Sequence, residues 1–258
     1  MITLYSGTPG SGKSLHQAED VYYWLRAGKP CVTNYEIVYD VIKTKKKILH
    51  LYLPNDELYP DKLIEFAREY FAHHKFKEGA IRLYIDEAQL MFNAREWQIK
   101  GRHEWISFFT QHRKYGYDIY LVAQFDRMID RQVRSLLEYE VIHRKASNFG
   151  MAGKIISLIF GFIFGGSTKM FVAIKRWYPM NERLSSNTFF YRKRDGKLYD
   201  TFKDFGVFVK DDEKIKDKPP SSASELPDGA FDERLLLLQN YANCLKQIID
   251  KKRMDDEK

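Results

Sequence analysis

Only two cysteines occur in the chain, Cys31 and Cys244, and they lie in distant segments. That spacing offers neither a disulfide framework nor the paired ligands of a structural zinc site, and a reducing compartment is expected. The N-terminus lacks the basic n-region, apolar stretch and small-residue cleavage site of a signal peptide, because residues 2 to 6 already read as a strand. Secretion is therefore not expected. No segment repeats itself along the chain. Long apolar runs are also missing: the most apolar stretch, "IISLIFGFIFGG" at residues 155–166, would rise about 18 Å as a helix, short of a hydrocarbon core of about 30 Å. Acidic residues are in deficit, 35 against 42 Lys and Arg, which leaves a formal charge of +7. Such a balance favours an anionic partner, nucleic acid or acidic lipid, with a solvated basic surface as the plain alternative.

What the chain does contain is an alternation. Short apolar runs and amphipathic stretches follow one another through residues 1–145, the pattern of parallel β/α units. Strands are predicted near Ile2 to Ser6, Pro30 to Asn34, Ile81 to Ile85, Ile119 to Ala123 and Glu140 to His143. Helices are predicted over Lys13 to Ala27, ending at Gly28, and over Lys62 to Phe71 and Glu104 to Lys114. "KTKKKILHLYLPNDELYPDK" reads as a polar insertion before the third strand, and residues 146–169 as an apolar insertion. A β appendage over 170–210 is expected to turn at Asp195-Gly196. A Pro/Ser linker follows over 211–230, and then a tail helix over 231–258 with an apolar seam of Leu238, Tyr241, Leu245 and Ile248.

The chemistry concentrates in "GTPGSGKS". Gly7, Gly12, Lys13 and Ser14 satisfy G-x-x-x-x-G-K-[ST], after a strand and before a helix, which is the context a phosphate-binding loop requires. Backbone N–H groups of Gly7, Thr8, Pro9's neighbours, Gly10, Ser11, Gly12 and Leu15 would cradle phosphate oxygens at the helix N-terminus. Lys13 would reach the β and γ phosphates, and the Ser14 hydroxyl would ligate Mg²⁺. A glycine-rich turn without a ligand is the bland alternative. In "RLYIDEAQ" an apolar strand ends in Asp86, placed for the Mg²⁺ shell, and Glu87, placed to polarise a water. The same pair could instead cap a helix. "DIYLVAQ" delivers Gln124 to the carboxyl edge of the sheet, where it would sense the γ phosphate or bond a loop as an ordinary amide. Arg131 and Arg134 follow on a predicted helix, as surface arginines or as groups acting across a subunit boundary.

Together "MITLYSGTPGSGKS", "VTNY", "YIDEAQ" with "REW", and "QHRKYGYDIYLVAQ" with "IDRQVRSLLEYEVIHRK" resemble the Zot (zonula occludens toxin) domain, a family that includes the gene I assembly proteins of filamentous phages. The resemblance covers residues 1–145, and "FFYRKRDGKLYDTF" is similar to a short β element late in that domain. It implies an α/β P-loop NTPase of the additional-strand class, close to the RecA-like FtsK and HerA motors, with a parallel sheet in the order 5-1-4-3-2. It implies ATP and Mg²⁺ as cofactors, Gly12, Lys13 and Ser14 on the nucleotide, Asp86 on Mg²⁺, Glu87 as base and Gln124 as sensor. A homo-oligomeric ring, a hexamer among the sizes open to it, is expected at the cytoplasmic face of the host membrane, with phage single-stranded DNA or coat proteins as partners. Toxin activity in this family is attributed to an extension beyond the ATPase domain, and none is expected here.

Members of this family commonly carry a spanning helix after the ATPase domain. Residues 155–166 are the only candidate, and basic residues flank them on both sides. By the positive-inside rule both ends would stay cytoplasmic, so a hairpin dipping into the inner leaflet fits, with a buried core helix as the alternative. Two rivals to a motor remain: a soluble kinase of a small metabolite, and a scaffold that binds nucleotide without turning it over.

Overall fold

In the computed structural model, residues 1–95, 101–146 and 169–198 are described, all within the compact unit Met1–Phe208. The chain runs β1 (Ile2–Ser6), α1 (Lys13–Arg26), β2 (Cys31–Thr33), β3 (His50–Tyr52), α2 (Pro60–His73), β4 (Ile81–Ile85), α3 (Arg102–Gln111), β5 (Tyr117–Val122), α4 (Arg131–Ser135), β6 (Tyr139–Lys145), β7 (Met170–Trp177), β8 (Glu182–Phe190) and α5 (Lys193–Leu198). One 8-stranded sheet takes the order β3-β2-β4-β5-β1-β6-β7-β8. Every pairing from β3 to β6 is parallel, and β7 and β8 are added antiparallel. For the five strands anticipated from the sequence this is the order 5-1-4-3-2.

Period-two alternation explains why the sheet is covered on both faces. Leu83, Ile85, Ile119 and Leu121 point into one core with Leu63 of α2 and Trp105, Phe108 and Phe109 of α3. Their alternates Tyr84, Tyr120 and Val122 enter a second core with Ala18, Val21, Tyr22 and Leu25 of α1. Each large side chain so buried contributes about 1.5–3 kcal/mol over its exposed state. Lying between β5 and β6, β1 is buried along its whole length, and its end is correspondingly fixed. Helix α1 stops where Gly28 turns left-handed at φ 73° and its N–H reaches Leu25 O at 2.8 Å. Pro60 opens α2, where its missing N–H costs nothing.

Three expectations are corrected. The supposed polar insertion contains β3, which pairs with β2 through Cys31↔His50 to Thr33↔Tyr52. The supposed appendage is not separate: β7 pairs with β6 from Lys145↔Phe171 to Tyr139↔Trp177 and continues the main sheet. The chain reverses between β7 and β8 at residues 178–181, where Asn181 takes φ 56°, rather than at Asp195-Gly196. Asn tolerates that conformation. Asp195 and Gly196 lie instead in α5, where the buried Asp195 carboxylate is paired with Arg194 at 2.7 Å. The apolar run 155–166, the linker 211–230 and the tail helix 231–258 lie outside the described residues. Among those described, no helix is long and apolar enough to cross a membrane.

Candidate nucleotide site

Buried β1 delivers Ser6 to the sheet edge, and residues 7–12 curl back so that α1 begins at Lys13. Gly7 stands at φ 143°, and a Cβ there would meet His143 O at 2.5 Å and Ser11 Oγ at 2.7 Å. Gly12 occupies the N-cap at φ 94°, and a Cβ would meet the Phe171 ring at 2.7 Å. Neither position admits another residue without strain. Among the described residues no side chain caps α1, which leaves its first N–H groups to an anion. Lys13 Nζ donates to Gly7 O at 2.8 Å and Thr8 O at 3.4 Å, which holds the ammonium across the loop. Burial pushes its pKa down, and the Glu87 and Asp86 carboxylates push it back up. Thr8, Pro9 and Gly10 are exposed on the rim, while Ser11 is buried with its Oγ lacking any partner among the described residues. Gly10 to Leu15, with Lys145, Lys169, Phe171 and Tyr191, line a cleft of about 560 Å³.

Asp86 terminates β4 and is 4% exposed. Asn34, just beyond β2, clasps it: Asp86 N–H donates to Asn34 Oδ1 at 2.7 Å, and Asn34 Nδ2 donates to Asp86 O at 2.9 Å. Glu87 N–H donates to Asp86 Oδ1 at 2.9 Å. Glu87 itself sits at φ 47°, ψ 45°, a left-handed conformation that costs a non-glycine residue energy and that clusters at functional sites. Its carboxylate accepts from Gln89 Nε2. It occupies the N-cap position of a short 3₁₀ turn, Ala88–Leu90, and makes no side-chain capping bond there among the described residues.

Strand β5 lies between β1 and β4, and Gln124 just beyond it falls between the loop and the carboxylates. Gln124 O accepts from Gly7 N–H at 3.0 Å, a main-chain latch between this strand and the loop. Gln124 lines a second cleft of about 450 Å³ with Ser6, Thr8, Glu140, Arg144 and Arg176. Arg131 is exposed on α4 and Arg134 half-buried, and neither lines either cleft of its own chain. The structure thus brings Lys13 within electrostatic reach of Asp86 and Glu87, ties the Gln124 main chain to the loop, and leaves the two arginines outside both clefts.

Sequence reasoning missed the groups beneath the loop. Glu140, buried in β6, accepts from Ser6 Oγ and from Arg176 Nε at 2.8 Å. His143 Nε2 and His16 Nδ1 are 2.8 Å apart, and His16 stacks between Tyr5 and Phe189. Burial, and secondarily His16, pushes His143 down to about 3. The signal was present in "YEVIHRK", where polar residues interrupt a strand that apolar neighbours mark as buried.

Oxygen donors suit Mg²⁺. Among the described residues no cluster of three or more His, Cys, Asp or Glu forms a closed cage, and Mg²⁺ characteristically uses one or two protein oxygens plus phosphates and waters. Ser14, in the first turn of α1, and Asp86, at the end of β4, are oxygen donors of that kind.

A loop strand and an Asp-bearing strand kept apart by one parallel strand is the arrangement of the additional-strand P-loop NTPases, and the fold is of that class. Residues 1–172 match the family model described as Zonular occludens toxin (Zot), and the chain belongs to that family. It is 29% identical over 167 residues to the Gene 1 protein of Enterobacteria phage M13, covering 62% of this chain and 47% of that protein. It is 25% identical over 166 residues to the Gene 1 protein of Salmonella phage IKe, covering 62% and 45%. The chain thus spans about half the length of the curated relatives it matches. The N-terminal domain of zonular occludens toxin from Neisseria meningitidis superimposes with a TM-score of 0.46 at 21% identity, over 77% of this chain and 97% of that one.

Proposed function

We propose that this protein binds ATP with Mg²⁺ and hydrolyses it, as the motor of a phage assembly and export machine at the cytoplasmic face of the host membrane. The observation that carries the hydrolytic reading is the Asp86–Glu87 strand end, where Glu87 is kept in a costly left-handed conformation facing the loop lysine's electrostatic field. The loop N–H groups and Lys13 bind the phosphates, and Ser14 and Asp86 would hold Mg²⁺. When bound, the ion would neutralise phosphate charge. Glu87 accepts a proton from water as the water oxygen attacks the γ phosphorus and the bond to the β–γ bridging oxygen breaks, and Gln124 orients the attack. Glu87→Gln should retain ATP binding and lose at least about 10²-fold in turnover. Undiminished turnover would overturn the assignment. Turnover without any acceptor molecule separates this reading from a kinase and from a scaffold.

The ring, the membrane and the exported strand belong to the same proposal. Support for a ring is that Arg131 and Arg134 line neither cleft of their own chain, which leaves them for a neighbour's site. Support for attachment to the inner leaflet is the uncharged run 155–166 between Lys154 and Lys169, whose burial is worth about 1.5–3 kcal/mol per large side chain.

A further inference from the structure

The loops that follow Glu87 and Gln124 are joined to each other. Ala94 N–H donates to Met128 O at 3.1 Å, Asp130 N–H donates to Phe92 O at 2.8 Å, and Asn93 and Ile129 form an antiparallel bridge. Between these loops runs an open groove of about 900 Å³. Its walls present side chains that a soluble surface ordinarily withdraws: Leu90 is 66% exposed and Phe125 53%. Arg95 and Arg127, both exposed, also line it, and neither makes an ion pair with a described residue. Among the described lining residues the one carboxylate, Asp126, accepts from Tyr178 OH at 2.9 Å.

We infer that this groove binds a single-stranded nucleic acid. An exposed phenyl ring offers a stacking platform to any base, and two unpaired guanidiniums offer the phosphate contacts that track a strand. Charge complementarity favours this occupant: among the described lining residues two guanidiniums outnumber one carboxylate, and the whole chain carries +7. An amphipathic peptide would cover Leu90 and Phe125 but would leave both arginines without anions.

The groove is also wired to the chemistry. Phe125 follows Gln124 directly, and Leu90 follows Gln89, whose amide holds the Glu87 carboxylate. A strand seated here would act on the two groups that the ATP-hydrolysing reading assigns to the γ phosphate. The inference rests on the ATP-hydrolysing reading of the loop site, and its test keeps the two apart.

A fluorescein-labelled thymidine oligonucleotide is titrated by anisotropy into the full-length protein across a salt series, alongside ATP turnover with and without the oligonucleotide. Phe125→Ala should weaken binding about 5- to 140-fold, the equivalent of one lost base stack. Arg95→Ala with Arg127→Ala should flatten the dependence of log affinity on log salt by about 1.4, two phosphate contacts at about 0.7 each. Both variants should retain the wild-type melting temperature, since all three side chains are exposed. Wild-type ATP turnover without oligonucleotide binding overturns the groove and leaves the ATPase reading intact. Oligonucleotide binding with an unchanged salt slope in the double variant places the strand elsewhere and overturns it too. If Phe125→Ala instead abolishes capture of an amphipathic peptide, or lowers the oligomeric state, the occupant is a protein and the inference fails.

Discussion

Glu87 offers a test in which the sign of the effect is informative. At most positions Ala is more stable than Gly, because Gly gains backbone freedom on unfolding worth about 0.4–1 kcal/mol. At φ 47°, ψ 45° a side chain bearing Cβ suffers about 1–2 kcal/mol of left-handed strain that Gly escapes. Both Glu87→Ala and Glu87→Gly remove the carboxylate and its bond from Gln89, so those losses cancel in the comparison. What remains is strain relief minus chain entropy, about 0.8 kcal/mol in favour of Gly at the middle of both ranges. For a unit of this size that is about 1–4 °C in melting temperature, measurable by scanning calorimetry of nucleotide-free protein. Both variants should be inactive. A Glu87→Ala protein as stable as Glu87→Gly, or more so, would show that the backbone at this residue is not strained, and the reasoning that ties its conformation to function would fall.

Asn34→Leu should cost about 1–3 kcal/mol in stability, because it removes both bonds that the Asn34 amide makes to the Asp86 main chain, and it should weaken Mg²⁺-dependent turnover. Acid should destabilise the fold through His143: with an ordinary pKa near 6.5 when unfolded and about 3 when folded, the native state binds fewer protons between those values. Stability is therefore full above pH 6.5 and falls by about 1.4 kcal/mol per pH unit below it, and His143→Gln should flatten urea-midpoint profiles by that amount. For the ring, mixing a Lys13→Ala protein with an Arg131→Ala or Arg134→Ala protein should restore turnover above that of either alone. Mixtures no more active than their parents would remove the arginines from the neighbouring site.

The five parallel strands were legible because each is a short apolar run bounded by turn residues, whereas their order in the sheet came only from the resemblance to the Zot family. Strand β3 escaped because its three residues, His50 to Tyr52, sit in a lysine-rich stretch and borrow their pairing from β2. The hairpin was misplaced because Asp-Gly is the stronger turn signal in isolation, and burial of Asp195 against Arg194 overrides it. Lys13 and Ser14 could be named from the loop motif that opens a helix, and Asp86, Glu87 and Gln124 as candidates from strand ends. Asn34 and Glu140 could not, since their roles arise from strands that become neighbours only in the folded sheet: β2 beside β4, and β6 beside β1.

Among the described residues the sheet's two outer strands are unlike each other, and both resist further growth. At one side β3 is three residues long, too short to template another strand. At the other, β8 is exposed from Glu182 to Thr188, yet that face reads Glu, Arg, Leu, Ser, Ser, Asn, Thr, and its pairing to β7 is bulged beside Lys175 and Arg176. A polar, kinked edge is a poor nucleus for cross-strand aggregation. Copies of this chain would therefore join through side chains and loops, which can slide and release, rather than through a shared ladder of main-chain bonds that would lock them in place.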